Sequence, residues 1–160
     1  MARLRLFPVD GALSSSRAGR DRHPTLRVLL LDTTFLIDAE REEGHLDFLI
    51  GDEDDVAIAT ITVAELMVGV ELASRSSKRK REQYVEDVVA SIPMIPYDRD
   101  VALEHARLLA SVRRAGRSRG AHDLVIAATA RASNRVVITA DETAFDDLPG
   151  VAFETHRSSR

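Results

Sequence analysis

The chain has 160 residues, 44% of them hydrophobic, which is enough for one domain with a buried core. It contains no cysteine, which removes disulfide scaffolding and Cys-based zinc sites and makes a reducing compartment, the cytoplasm, the expected home. The net charge of −4 is uneven: residues 1–27 carry six Arg against Asp10 and Asp21, so residues 28–160 carry −8, which argues against broad attraction to nucleic acid.

Residues 1–27 mix Ser14-Ser15-Ser16, Gly11, Gly19, Pro8 and Pro24 with scattered Arg and no period of 2 or 3.6. They read as a disordered leader or a start site assigned too far upstream. No stretch approaches the roughly 20 apolar residues that span a bilayer. From Val28 onward the pattern alternates. It predicts a strand over 28–31, a helix over about 34–50, a strand over 56–59, and helices over 62–73 and 78–91. A short strand near 94–95 follows, then helices over 99–115 and 121–133, a strand over 135–139 and a last strand near 151–153, with residues 156–160 as a flexible tail. Strands alternating with helices predict an α/β domain over 28–155, a central parallel β-sheet flanked by α-helices.

Four acids stand at the joints of this pattern. Asp32 follows the continuous apolar run Val28–Leu31, the kind that forms a central parallel strand buried on both faces. Its carboxylate would sit at the carboxyl end of that strand, where open α/β sheets bind ligands. Capping of the next helix by Asp32 or Thr33 is the plainer alternative. Glu65 lies in Thr62-Val63-Ala64-Glu65, which also reads as a capping box. Asp123 enters an apolar helix, Leu124 to Ala130, where an unpaired carboxylate would be costly. Asp141 ends the strand Val136–Thr139 and its Ala140 extension, with Thr139 able to orient it or a bound phosphate, and Asp146 and Asp147 compete for its role. Four acids at the carboxyl ends of one sheet make an all-oxygen donor set suited to Mg²⁺ or Mn²⁺.

Leu31-Asp32-Thr33, Ala64-Glu65-Leu66, Asp123-Leu124-Val125-Ile126-Ala127-Ala128 and Thr139-Ala140-Asp141, in this order, resemble a PIN-domain ribonuclease and, within that superfamily, the VapC toxins of type II toxin–antitoxin pairs. The resemblance spans about residues 28–153, and Phe145 to Val151 resembles the family's closing segment. It implies a Mg²⁺- or Mn²⁺-dependent endoribonuclease acting on translation-related RNA, a VapB-like antitoxin partner and a homodimer. It assigns metal binding and catalysis to Asp32, Glu65 and Asp123, with Asp141 as the fourth acid and Asp146 as its rival. Thr33 and Thr139 would stand behind the carboxylates as hydroxyl donors.

Other residues carry weaker signals. His122 adjoins Asp123, but successive helix positions point about 100° apart. His45 and His105 have no second ligand at zinc spacing. Of two basic runs, Arg75 to Arg81 reads as solvated charge, while Arg113, Arg114, Arg117 and Arg119 precede Asp123, so Arg117 and Arg119 are the candidate RNA contacts. Leu36, Ile37, Leu46, Leu66 and Met67 offer an antitoxin a groove or simply fill the core. A catalytically silent interaction module remains the alternative. A phosphoryl-accepting receiver would need a late lysine, and the chain has none beyond Lys80.

Overall fold

Val28–Leu31 is the middle of a five-stranded sheet, and its side chains divide the core in two. Leu29 and Leu31 point into one apolar cluster with Phe35, Leu66, Val70 and Tyr84, and Leu30 points into another with Leu108, Ile126, Val137 and Phe145. Alternation of side chains across a strand produces that split, and burial of both faces explains the uninterrupted apolar run. The structure, a computed structural model, describes residues 26–42 and 49–156.

The strands are β1 (Val28–Leu31), β2 (Asp55–Ala59), β3 (Met94–Ile95), β4 (Val136–Thr139) and β5 (Phe153–Thr155). The helices are α1 (Thr33–Arg41), α2 (Thr60–Glu71), α3 (Arg75–Ser91), α4 (Arg99–Arg114), α5 (Ala121–Ser133) and α6 (Glu142–Phe145). The sheet order is β3-β2-β1-β4-β5 and every pairing is parallel. The chain winds outward from β1 to β3, then returns to the other side of β1 with β4. The order therefore reverses between β1 and β4, which opens a crevice at their carboxyl ends.

The α/β fold with a parallel sheet matches the expectation, while several boundaries differ. Helix α1 is described only to Arg41, and residues 43–48, with His45 and Leu46, lie outside the described residues. Helix α2 starts at Thr60 rather than 62, because β2 runs directly into it with Ala59 at the cap position. The last strand is Phe153–Thr155 rather than 151–153: Gly150, at φ 72°, turns the chain first, and Phe153 then pairs with Val137. The single-turn helix α6 was not foreseen.

Both proposed tails give up a residue to the fold. Arg27, assigned to the leader, bonds Asp54 Oδ2 at 2.5 Å and the Leu49 carbonyl at 2.7 Å, and its own carbonyl accepts the Asp55 N–H. Residues 1–25 of that leader lie outside the described residues. His156, assigned to the flexible tail, is buried. Residues 157–160 lie outside the described residues.

Candidate active site

Asp32 follows β1 at the reversal of strand order, and its N–H continues the ladder by bonding the Ile138 carbonyl at 2.9 Å. The residue is 3% exposed, a depth at which a carboxylate needs donors. Two hydroxyls supply them. Thr34 Oγ1 donates to Asp32 Oδ2 at 2.6 Å, and Thr139 Oγ1, from the end of β4, donates to the same oxygen at 2.7 Å. Asp32 occupies the cap position of α1, but its side chain makes no capping bond. The carboxylate is held for something other than the helix.

Glu65 does not close a capping box. Thr62 is buried inside α2, two residues past its start, so no open helix end exists for Glu65 to reach. Its Oε2 instead accepts from Thr33 Oγ1 at 2.5 Å, and its Oε1 lies 2.8 Å from His122 Nδ1. The threonine pair after β1 is thus divided between two acids. Thr33, expected to serve Asp32, serves Glu65, and Thr34, which sequence reasoning passed over, serves Asp32. Successive helix positions point in different directions, so the Thr33-Thr34 doublet was the available signal.

Asp123 stands in the first turn of α5. Burial pushes its carboxyl above the usual aspartate range, and the negative charges of Asp32, Glu65 and Asp141 push it the same way, while His122 opposes them. Asp32, Glu65 and Asp141 thus lie within electrostatic reach of Asp123. Asp141 accepts from the Thr143 N–H at 2.9 Å and caps α6, so its turn role is realised alongside its place in the cluster. Asp146 is not among the charges that act on Asp123, and its Oδ1 accepts the Asp147 N–H at 3.0 Å. Thr139 serves Asp32 rather than Asp141, from which it accepts only the backbone N–H, at 3.0 Å.

The remaining candidates are engaged elsewhere. Arg117 Nη1 donates to Asp147 Oδ2 at 2.9 Å, and Arg119 donates to the carbonyls of Thr143 and Asp146 at 2.5 and 2.6 Å. Both arginines tie the loop before α5 to the α6 segment and so fix the rim beside Asp123 and Asp141. His105 pairs with Tyr97 Oη at 2.9 Å. Leu36 and Leu66 are core residues, whereas Ile37 and Leu66 also border a cleft with Glu65, Arg81 and Tyr84.

The donor set is wholly oxygen and carries unbalanced negative charge, which is the chemistry a hard divalent cation answers. Among the described residues no three Asp, Glu or His side chains are already closed to the spacing of a metal's ligands. The acids the sequence points to for an ion are Asp32, Glu65, Asp123 and Asp141, the same four linked by the charge effects on Asp123.

The PIN domain family model matches residues 29–151. The chain belongs to the PIN-domain family. Among the relatives of this PIN domain, ribonuclease VapC5 of Mycobacterium tuberculosis is 36% identical over 123 residues, covering 77% of this chain and 89% of that protein. The tRNA(fMet)-specific endonuclease VapC of Salmonella typhimurium is 27% identical over 99 residues, covering 62% of this chain and 74% of that protein. The crystal structure of VapBC-5 from Mycobacterium tuberculosis, described as a member of the VapBC family of toxin–antitoxin systems, superposes with a TM-score of 0.65 at 34% identity, covering 82% of this chain and 98% of that chain. The VapC5 relationship puts this PIN domain in the VapC group.

Proposed function

We propose that this VapC-group PIN domain is the toxin of a type II toxin–antitoxin pair, a Mg²⁺- or Mn²⁺-dependent endoribonuclease that cuts translation-related RNA and is silenced by a cognate VapB-like antitoxin. The observation that carries the reading is that Asp32 and Asp141 follow adjacent strands where the strand order reverses and share Thr139, with Glu65 tied to the same turn by Thr33 and Asp123 within electrostatic reach. The VapC relatives, one named a ribonuclease and one a tRNA(fMet)-specific endonuclease, support the RNA substrate, and the toxin–antitoxin neighbour supports the partner. A homodimer acting in the cytoplasm completes the proposal. Among the described residues no helix is long and apolar enough to cross a membrane.

Each protein group has a task in that reaction. Asp32, Asp123 and Asp141 would hold the cation, and Glu65 would hold it or orient the attacking water. A bound Mg²⁺ or Mn²⁺ supplies charge neutralisation at the scissile phosphate and lowers the pKa of a water molecule. Thr34 and Thr139 keep the Asp32 carboxylate in one orientation, and Thr33 does the same for Glu65. His122, within hydrogen-bond distance of Glu65, limits the rotation of that side chain from the solvent side. Arg117 and Arg119 stiffen the rim, and from there they are the nearest basic groups in sequence for an RNA backbone.

The test is cleavage of a pool of structured cellular RNAs by purified wild type and Asp123→Asn, with Mn²⁺ or Mg²⁺ and with EDTA. Cuts that require both the ion and Asp123 are expected. A folded, antitoxin-free wild type that leaves every RNA intact would instead favour a silent interaction module.

A further inference from the structure

The seam between the last strand and α1 holds a histidine that the site chemistry does not use. His156, immediately after β5, is 6% exposed and lies beyond residue 151, where the family match ends. Its backbone N–H donates to the Thr139 carbonyl at 3.0 Å, and its ring Nδ1 lies 3.1 Å from the same oxygen. Its Nε2 lies 3.2 Å from Asp38 Oδ2 on α1. The ring stands edge-on to Phe35, with centroids 5.0 Å apart and planes at 86°.

Both ring nitrogens therefore face an acceptor. The ring thus bridges the end of β4 to α1, whichever nitrogen carries the proton. Asp38 is its partner on α1, and Arg41 Nη1 stands 3.7 Å from the other Asp38 oxygen. The neighbouring charges on β5 and α6 are occupied: Glu154 faces Arg27, and Glu142 accepts from Thr155.

The residue so gripped is Thr139. Its carbonyl is held by His156, while its hydroxyl donates to Asp32 Oδ2 at 2.7 Å and accepts the Asp141 N–H at 3.0 Å. We propose that His156 is a positioning residue for the acidic site: anchored on Asp38 and Phe35, its ring fixes Thr139, and through the Thr139 hydroxyl it sets the placement of Asp32 and of the backbone at Asp141. The inference deepens the nuclease reading and rests on it for its activity readout.

The experiment compares wild type with His156→Ala, His156→Gln and Asp38→Asn. In the metal-free protein, amide exchange at Ala140 and Asp141 reads the tie directly, because these N–H groups bond the Thr34 and Thr139 hydroxyls. Exchange at both should quicken about fivefold in His156→Ala, the loosening of about one hydrogen bond, and less in the other two variants. Leu30 and Ala57, in the centre of the sheet, should not change. Mn²⁺ titration should give about tenfold weaker binding in His156→Ala, and RNA cleavage should fall in kcat with KM for RNA unchanged.

Wild-type exchange at Ala140 and Asp141 in folded variants would overturn the proposal, as would wild-type Mn²⁺ affinity and kcat beside loosened amides. Should His156→Ala fail to fold, His156→Gln and Asp38→Asn carry the same exchange readout. A wild type that neither binds Mn²⁺ nor cuts RNA sinks the nuclease reading, and exchange in the metal-free variants still decides the role of His156.

Discussion

Gly120 lies directly against the carboxylate of Asp123, so that a Cβ added to the glycine would meet Asp123 Oδ2 well inside van der Waals contact. The backbone there, at φ −56° and ψ 136°, suits any residue, so the glycine is required by space rather than by conformation. Gly120→Ala should therefore fold normally, because the obstructed atom is the end of a side chain that can swing away. The displaced carboxylate should cost about 100-fold in RNA cleavage, the scale of an ångström-sized misplacement at a reacting centre. Circular dichroism and Tm beside the cleavage rate check this, and full activity would mean that the position of Asp123 is not critical.

Thr34 and Thr139 share one task, since both donate to Asp32 Oδ2. Thr139→Val keeps the shape and removes a donor from a carboxylate that is 3% exposed. It should destabilise the protein by about 1–3 kcal/mol and weaken Mn²⁺ binding about 10–100-fold. Thr34→Val should do the same, and the double variant should lose more than the two losses added, because each hydroxyl partly covers for the other in the single variants. Calorimetric titration with Mn²⁺ decides, and strictly additive losses would mean that the two hydroxyls act independently.

Stability should respond to Asp123 in the opposite direction. Burial and the neighbouring acids raise its folded-state pKa above the ordinary 3.8. Between the ordinary and the raised value the folded chain binds more protons than the unfolded one, so stability falls as pH rises through that window. Asp123→Asn removes this loss. In metal-free buffer at pH 7 it should be more stable, by on the order of 1 kcal/mol or about 2–4 °C in Tm. The advantage should vanish below about pH 3, where the carboxyl is protonated in both states. Thermal melts at the two pH values test this, and a variant less stable than wild type at pH 7 would contradict the mutual repulsion.

The central elements were legible because each carries its own signal. Val28–Leu31 announces a doubly buried strand by being apolar throughout, and α5 occupies the expected span, Ala121–Ser133, closed in the structure by Asn134 at φ 52°. Asp32, Asp123 and Asp141 stand out for the same reason, since each closes a strand or opens a helix, whereas Glu65 lies inside α2. What was not legible depends on partners distant in sequence. Strand β5 is defined by pairing with β4, and its own residues would suit a loop equally well. The exchange of partners between Thr33 and Thr34 follows from which face of α1 meets α2 and which meets β4. The capping-box reading of Glu65 failed because α2 begins one half-turn earlier than its Thr62 suggested. His156 gave no signal, because its burial is created by Asp38, Phe35 and Thr139 from elsewhere in the chain.

Arg27 and Asp54 join the entry of β1 to the entry of β2, at the end of the sheet away from the acids, so they bear on stability and not on chemistry. Burial pushes the Asp54 carboxyl up, but the Arg27 side chain and the Gly51 and Arg27 N–H groups together outweigh it, and the net position is below the ordinary 3.8. A carboxyl lowered in the folded state contributes stability at any pH above its ordinary value and loses it as pH falls through the folded value. Arg27→Ala should remove that contribution. Its side chain is 37% exposed, so screening by solvent limits the loss to about 1 kcal/mol at pH 7, with a Tm lower by about 2–4 °C. At a pH low enough to protonate Asp54 in the folded protein, wild type and variant should melt together, and RNA cleavage at neutral pH should be unchanged. A Tm difference of equal size at neutral and acid pH would assign the stabilising role of Arg27 to its bond with the Leu49 carbonyl rather than to Asp54.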